Sequence, residues 1–331
     1  MYKHRIVAVA AALCALVVIS AAGAPVAMAE GGSACIAMEL TTGAVIEEDN
    51  ADAELPMAST TKIMTALLVC EDCDTDEVVC VPGEAAGVEG SSIYLKKGEE
   101  IDVRDLLYGL MLRSGNDAAT ALAIIHSGSV EKFVAGMNAR AKQLGADNTN
   151  FCNPSGLPDA GHYTTARDLC RIACAAMKNE LFRKVVGTRI WKGRFRTYSN
   201  KNKLLYSYEG ATGVKTGYTV NAGRCLVSSA KRDGMEVVCV VLNHRDMYSD
   251  SADMLDRAFE NYALERLTTD RVFICGGRAC SLKTARELVV KRGAQLRFEC
   301  VPGSGEDGSC GRLNIFAEND LIFAENLYSI V

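Results

Sequence analysis

Leu55-Pro56-Met57-Ala58-Ser59-Thr60-Thr61-Lys62-Ile63-Met64-Thr65 is a proline stop followed directly by a helical pattern. Pro56 ends whatever precedes it, because its ring fixes φ and removes a donor. Apolar residues then recur at Ile63, Met64, Leu67 and Leu68, the spacing of one helical face. Ser59 therefore falls at the start of a mostly apolar helix, with Lys62 one turn later on the same side. A hydroxyl beside an amine at a helix N-terminus is a candidate nucleophile and base, and the free backbone N–H groups there are candidate oxyanion donors. The same spacing also arises by chance. A second copy, Ser129-Val130-Glu131-Lys132, reads as a helix N-cap.

Two further words follow in order, Ser114-Gly115-Asn116 and Lys215-Thr216-Gly217. Alone, the first could merely separate two helices and the second merely end a strand. Together with Ser59-x-x-Lys62 they form the trio of penicillin-binding proteins and class A β-lactamases. The flanks are more specific: Pro56 to Thr65, Ser114-Gly115-Asn116-Asp117-Ala118, Gly156-Leu157-Pro158-Asp159 with His162-Tyr163, and Gly213-Val214-Lys215-Thr216-Gly217-Tyr218-Thr219. On these words the chain, from about Ala34 to Leu267, resembles the serine-type D-Ala-D-Ala carboxypeptidases, the low-molecular-mass penicillin-binding proteins.

That resemblance implies a mixed α/β (α+β) fold of the β-lactamase/transpeptidase type, with an antiparallel sheet flanked by helices and an all-α subdomain. It also implies a chemistry. Ser59 attacks the carbonyl between the two terminal D-alanines of a peptidoglycan stem peptide and forms an acyl-enzyme, which water hydrolyses. Lys62 takes the proton and must be neutral, a state that burial and the charge of Lys215 favour. The N–H groups of Ser59 and Tyr218 hold the oxyanion. Ser114 relays a proton to the leaving nitrogen, and Asn116 holds the substrate amide and Lys62. Lys215 and Thr216, with Gly217 in the same strand, bind the terminal carboxylate. No metal or organic cofactor is implied, and β-lactams are expected as covalent inhibitors. In one departure, Lys201 stands where relatives often carry an arginine, so a point charge replaces a bidentate fork.

Other readings differ in what they need. A class A β-lactamase needs a glutamate-held water in the loop after the second motif, and Asn148–His162 contains no glutamate. A non-catalytic penicillin-sensing or wall-binding domain would tolerate a degraded serine, lysine or Lys-Thr-Gly, and all are intact. A Ser-His-Asp hydrolase lacks its Gly-x-Ser-x-Gly. His162 reads as a residue that orders its loop.

In chain order, residues 1–29 read as a signal peptide: basic Lys3 to Arg5, apolar Ile6 to Ser20, then Ala27-Met28-Ala29 for cleavage. Residues 30–267 are expected as the catalytic domain and 268–331 as a small β-rich C-terminal domain. Ala34–Leu40 and Ala44–Glu47 read as a strand pair, and Val103–Leu112, Asp117–Ile125 and Val130–Leu144 as helices. Thr165 caps a helix through Met177. Val214–Tyr218, Arg224–Lys231 and Met235–Asn243 read as strands, the last two joined by Asp233-Gly234. Asp253–Leu267 reads as an amphipathic helix on the stripe Leu255, Ala258, Phe259 and Tyr262.

The net charge of −5 offers no basic footprint for nucleic acid. Of fourteen cysteines, Cys14 falls in the leader, and the remaining odd number sits mostly in apolar runs, as free thiols do. Cys70-x-x-Cys73 lacks a second pair at zinc spacing. Cys275 and Cys280 are the favoured disulfide candidates. The tail from Ile322 to Val331 has no basic residue and is too short to lie on a membrane. A protein with no clear membrane anchor after signal cleavage, working outside the cytoplasm, is the expectation.

Overall fold

The computed structural model describes residues 32–194 and 196–330, so the expected leader, residues 1–29, lies outside the described residues. The chain opens with β1 (Ala34–Glu39) and β2 (Val45–Asp49), paired antiparallel. A single 3-10 turn, Ala58–Thr61, runs into α1 (Lys62–Asp72). The short hairpin of β3 (Val78–Cys80) and β4 (Glu100–Asp102) leads to α2 (Val103–Arg113), α3 (Asn116–Ser127) and α4 (Val130–Gln143). These three pack with α1 into the helical part that carries Ser114. Next come α5 (Ala166–Met177), α6 (Glu180–Gly187), β5 (Ile190–Lys192), β6 (Thr197–Ser199) and the one-turn α7 (Leu204–Ser207). Then β7 (Ala211–Thr219), β8 (Gly223–Arg232) and β9 (Met235–Leu242) precede α8 (Met247–Asn261).

The main sheet has the order β2-β1-β9-β8-β7 and is antiparallel throughout. Every residue of β9 is buried. Because side chains alternate along a strand, Val238, Val240 and Leu242 join one core, while Val237, Cys239 and Val241 join the other. Helix α5 packs on β1 and β9, and α8 covers β8 and β9. Only β7 and β2 remain as edges, and β7 lies against the Ser59 turn.

The helix expected over Asp253–Leu267 stops at Asn261. Tyr262–Leu267 is instead a strand, β10, paired residue for residue with β13 (Arg286–Lys291), from Tyr262↔Lys291 to Leu267↔Arg286. Its backbone groups find partners in a ladder rather than in a further helical turn. Beyond it, β11 (Phe273–Cys275), β12 (Arg278–Ser281), β14 (Leu296–Pro302), β15 (Gly311–Ala317) and β16 (Asp320–Ser329) form a second antiparallel sheet, ordered β11-β12-β16-β15-β14. Phe273, Leu288, Leu313, Ile315 and Leu327 centre the core of this β-rich C-terminal domain.

All thirteen cysteines among the described residues are free, Cys275 and Cys280 included. Those two do not face each other across their hairpin: Cys280 lies opposite Phe273, and Cys275 opposite Arg278. No helix among the described residues is long and apolar enough to cross a membrane.

Candidate active site

The turn that presents Ser59 is held in an unusual shape. Ala58 takes φ +47°, a left-handed conformation that costs energy in any residue with a Cβ. Hydroxyls stabilise the turn from within, Thr60 donating to the Met57 carbonyl at 2.6 Å and Thr61 to the Ala58 carbonyl at 2.8 Å. Gly156, at φ +84°, closes over it so tightly that a Cβ there would lie 1.9 Å from the Ala58 oxygen. Only glycine fits.

Lys62 is fully buried, and its Nζ stands 3.0 Å from Ser59 Oγ and 2.7 Å from Asn116 Oδ1, with the Ser155 carbonyl as third neighbour. Burial, then the nearby Lys215 and Lys201, push its pKa well below the ordinary lysine value. Burying an ammonium is costly, so the site favours the neutral amine, against the pull of Asp117. A neutral amine has two hydrogens and one lone pair. Asn116 Oδ1 and the Ser155 carbonyl can only accept, so they take the two hydrogens, and the lone pair is left facing the Ser59 hydroxyl.

Asn116 is oriented from its other end, its Nδ2 donating to the Glu89 carbonyl at 2.7 Å. Beside it, Asp117 accepts from the backbone N–H groups of Ile93 and Leu95 and from the Ser92 hydroxyl. This buried carboxylate pins residues 92–95 against the start of α3. Ser114 caps α2 in the left-handed region, at φ +64°, and is buried. Among the described residues it makes no direct hydrogen bond to Lys62 or Lys215.

The third wall is β7. Lys215 is 2% exposed and donates to the Thr216 carbonyl at 2.8 Å. Burial first, then Lys201, lowers its pKa to about 7. The Lys201 amine lies 3.4 Å from Ser91 Oγ, its own pKa lowered by burial and by Arg113. Lys215, Lys201 and Arg113 thus make one end of the groove positive. A Cβ on Gly217 would stand 3.1 Å from the Ser59 nitrogen, so the strand passes directly beside the serine N–H. Tyr218 follows and is 65% exposed.

All eight residues expected from the sequence lie on the Ser59 turn, the junction of α2 with α3, and strand β7. Others were not anticipated. The Ser155 carbonyl is set by Asn153, whose Oδ1 accepts from the N–H groups of Ser155, Gly156 and Leu157. His162 orders the same loop, as expected. Its Nδ1 accepts the Cys152 N–H at 3.0 Å, which leaves Nε2–H to donate to Thr61 Oγ1 at 2.7 Å. Burial holds this ring neutral, with its pKa lowered to about 4. The crowding of Asn, Pro and Gly marks a loop there, while nothing in the letters marks which carbonyl turns inward.

The family described as D-alanyl-D-alanine carboxypeptidase matches residues 22–246. A Bacillus subtilis protein named D-alanyl-D-alanine carboxypeptidase DacF is 38% identical over 287 residues, covering 82% of this chain and 70% of that one. Among solved structures, penicillin binding protein 5 from Haemophilus influenzae superposes with a TM-score of 0.79 at 25% identity, covering 90% of this chain and 96% of that one. A mutant of the Streptomyces K15 DD-transpeptidase gives a TM-score of 0.66 at 36% identity, over 68% of this chain and 96% of that one.

Proposed function

The chain belongs to the D-alanyl-D-alanine carboxypeptidase family, and on that premise we propose that Ser59 is its nucleophile and Lys62 its general base. The lone pair of Lys62, left facing Ser59 Oγ at 3.0 Å by two acceptor-only neighbours, carries this reading. Ser59 Oγ attacks the carbonyl of the penultimate D-alanine, and its proton passes to Lys62. The N–H groups of Ser59 and Tyr218 receive the oxyanion. As the C–N bond breaks, Ser114 delivers a proton to the leaving D-alanine, and Lys62 returns its own to the relay. Water then cleaves the ester. Lys215 and Thr216, assisted by Lys201, hold the terminal carboxylate at the positive end of the groove. Gly217 lets the strand approach closely, and Asn116 orients Lys62.

Hydrolysis of β-lactams at speed is the less favoured outcome. Its loop would need to aim a glutamate-held water at the ester. Here the corresponding loop offers Lys62 the Ser155 carbonyl. The substrate is then a peptidoglycan stem peptide, β-lactams are slow covalent inhibitors, and the site of action is extracytoplasmic, reached through cleavage of residues 1–29. Residues 30–267 are the catalytic unit and 268–331 the C-terminal domain, with β10 and β13 forming the joint between them.

Incubation of the purified protein with a diacyl-Lys-D-Ala-D-Ala peptide should release free D-alanine. No release, or equal release by a Ser59→Ala variant, would overturn the assignment.

A further inference from the structure

Cys275, Cys280, Cys300 and Cys310 all belong to the core of the C-terminal domain and take no part in the site above. Cys275 and Cys280 are buried, and Cys300 and Cys310 are half-buried. Successive strands in the order β11-β12-β16-β15-β14 are antiparallel, so β11 and β14 run the same way. These two end strands also touch, which curls the sheet towards a closed barrel. At that seam Phe273 meets Phe298 with ring centroids 6.2 Å apart. Two residues further along each strand, on the same face, stand Cys275 and Cys300.

The second pair lies across β16. Cys280 on β12 is opposite Ser329. Cys310, just ahead of β15, turns its thiol to the Leu327 carbonyl at 3.4 Å, two residues back along the same strand. There the Cys280 and Cys310 thiols come into hydrogen-bonding contact. The Cys275 sulfur reaches the same place, standing where a side chain on Gly311 would be. Four thiols therefore meet at one end of a small barrel. Cys170 and Cys174 also touch, but one turn apart on α5 their Cβ atoms are about 5–6 Å apart, beyond what a bridge tolerates.

We propose that this cluster is an oxidation site that takes up two disulfides, Cys275–Cys300 and Cys280–Cys310. The oxidant is itself a disulfide, a small one such as oxidised glutathione or that of a thiol–disulfide oxidoreductase. Half-buried Cys300 and Cys310 are within its reach, and their thiolates attack it, each giving a mixed disulfide and expelling one thiol. Cys275 and Cys280 then displace the second thiol. Each bridge formed thus reduces one external disulfide, whose two sulfurs carry away the two hydrogens of the pair. A domain of about 60 residues is marginal on its hydrophobic core alone, and cross-links supply what such a core lacks. One bridge closes the β11–β14 seam, and the other ties β12 to the start of β15 over β16. The proposal is independent of the carboxypeptidase reading, since none of the residues assigned to that chemistry is a cysteine.

The test takes the reduced full chain, incubates it with oxidised glutathione, then denatures, alkylates and digests it for mass spectrometry. The Cys275–Cys300 and Cys280–Cys310 peptides should be recovered cross-linked, with Cys170, Cys225 and Cys239 alkylated. Oxidation should raise the unfolding temperature of the β-rich domain by roughly 10 °C, and dithiothreitol should reverse the shift. Cys310→Ser should lose one cross-link and keep Cys275–Cys300. Four alkylated thiols, lasting glutathione adducts in place of bridges, a Cys275–Cys280 bridge, or one zinc ion retained per chain by the four thiols would each overturn the proposal.

Discussion

In Ser129-Val130-Glu131-Lys132 the serine hydroxyl accepts the Lys132 N–H at 3.3 Å, and the lysine side chain is exposed to solvent. In Ser59-Thr60-Thr61-Lys62 the hydroxyl caps nothing, and the buried lysine amine folds back on it at 3.0 Å. Spacing is common to both. The surroundings differ, because Asn116, Ser155 and Lys215 come from distant parts of the chain to only one of them. A motif of this kind becomes chemical only when the fold removes its water and limits its acceptors.

The most severe way to break that contrast is to ask which serine a labelled penicillin modifies. Mass spectrometry of a digest should place the adduct on the Ser59 peptide, with none after Ser59→Ala and full labelling after Ser129→Ala. An adduct at Ser129 would end the argument. The lysines follow: Lys62→Met should slow acylation by about 10²–10⁴-fold, the usual worth of a positioned base. Lys132→Met should leave the acylation rate as it was.

The pH profile sharpens the comparison further. Lys215 carries its proton below its pKa of about 7 and loses it above. Its proposed hold on the substrate carboxylate should therefore fade as pH rises through that value, and kcat/KM, which reports the free enzyme, should fall on the alkaline side. Lys215→Arg should move that limb upward, because guanidinium keeps its charge. An unmoved limb would reject this role for Lys215.

The smallest effect is on stability and has the opposite sign of importance. Ser129→Ala removes a helix N-cap and should cost about 1 kcal/mol in thermal or denaturant unfolding. Ser59→Ala removes no cap hydrogen bond and should cost less. The residue proposed for the chemistry is then the one stability can spare.

What could be read from the letters divides along the same line. The local signals held: Thr165 caps α5 by accepting the Asp168 N–H, and Asp233-Gly234 turns β8 into β9. Tyr262 satisfied two periods at once, the helical stripe of Leu255 and Phe259 and the alternation of a strand, and pairing with Lys291 on β13 decided between them. Helix α6, outside the elements expected above, carries local signals of its own: Asn179 caps it by accepting the Phe182 N–H, and Phe182, Val185 and Val186 form its buried side. The eight proposed site residues are legible as words. The inward carbonyl of Ser155 and the pinning of residues 92–95 by Asp117 were not, because both depend on backbone direction in loops.

The acceptors around Lys62 lie 54 and 93 residues further along the chain. Helix α1 can form early from its own apolar stripe, yet its amine gains its neighbours only when both distant segments have docked. Closing loops of that length is the slow, entropy-limited part of folding. Reactivity towards a β-lactam is therefore a clock for the last stage of refolding. After dilution from denaturant, helical circular dichroism should return first and labelling competence later. That lag times the arrival of the distant acceptors at the buried amine.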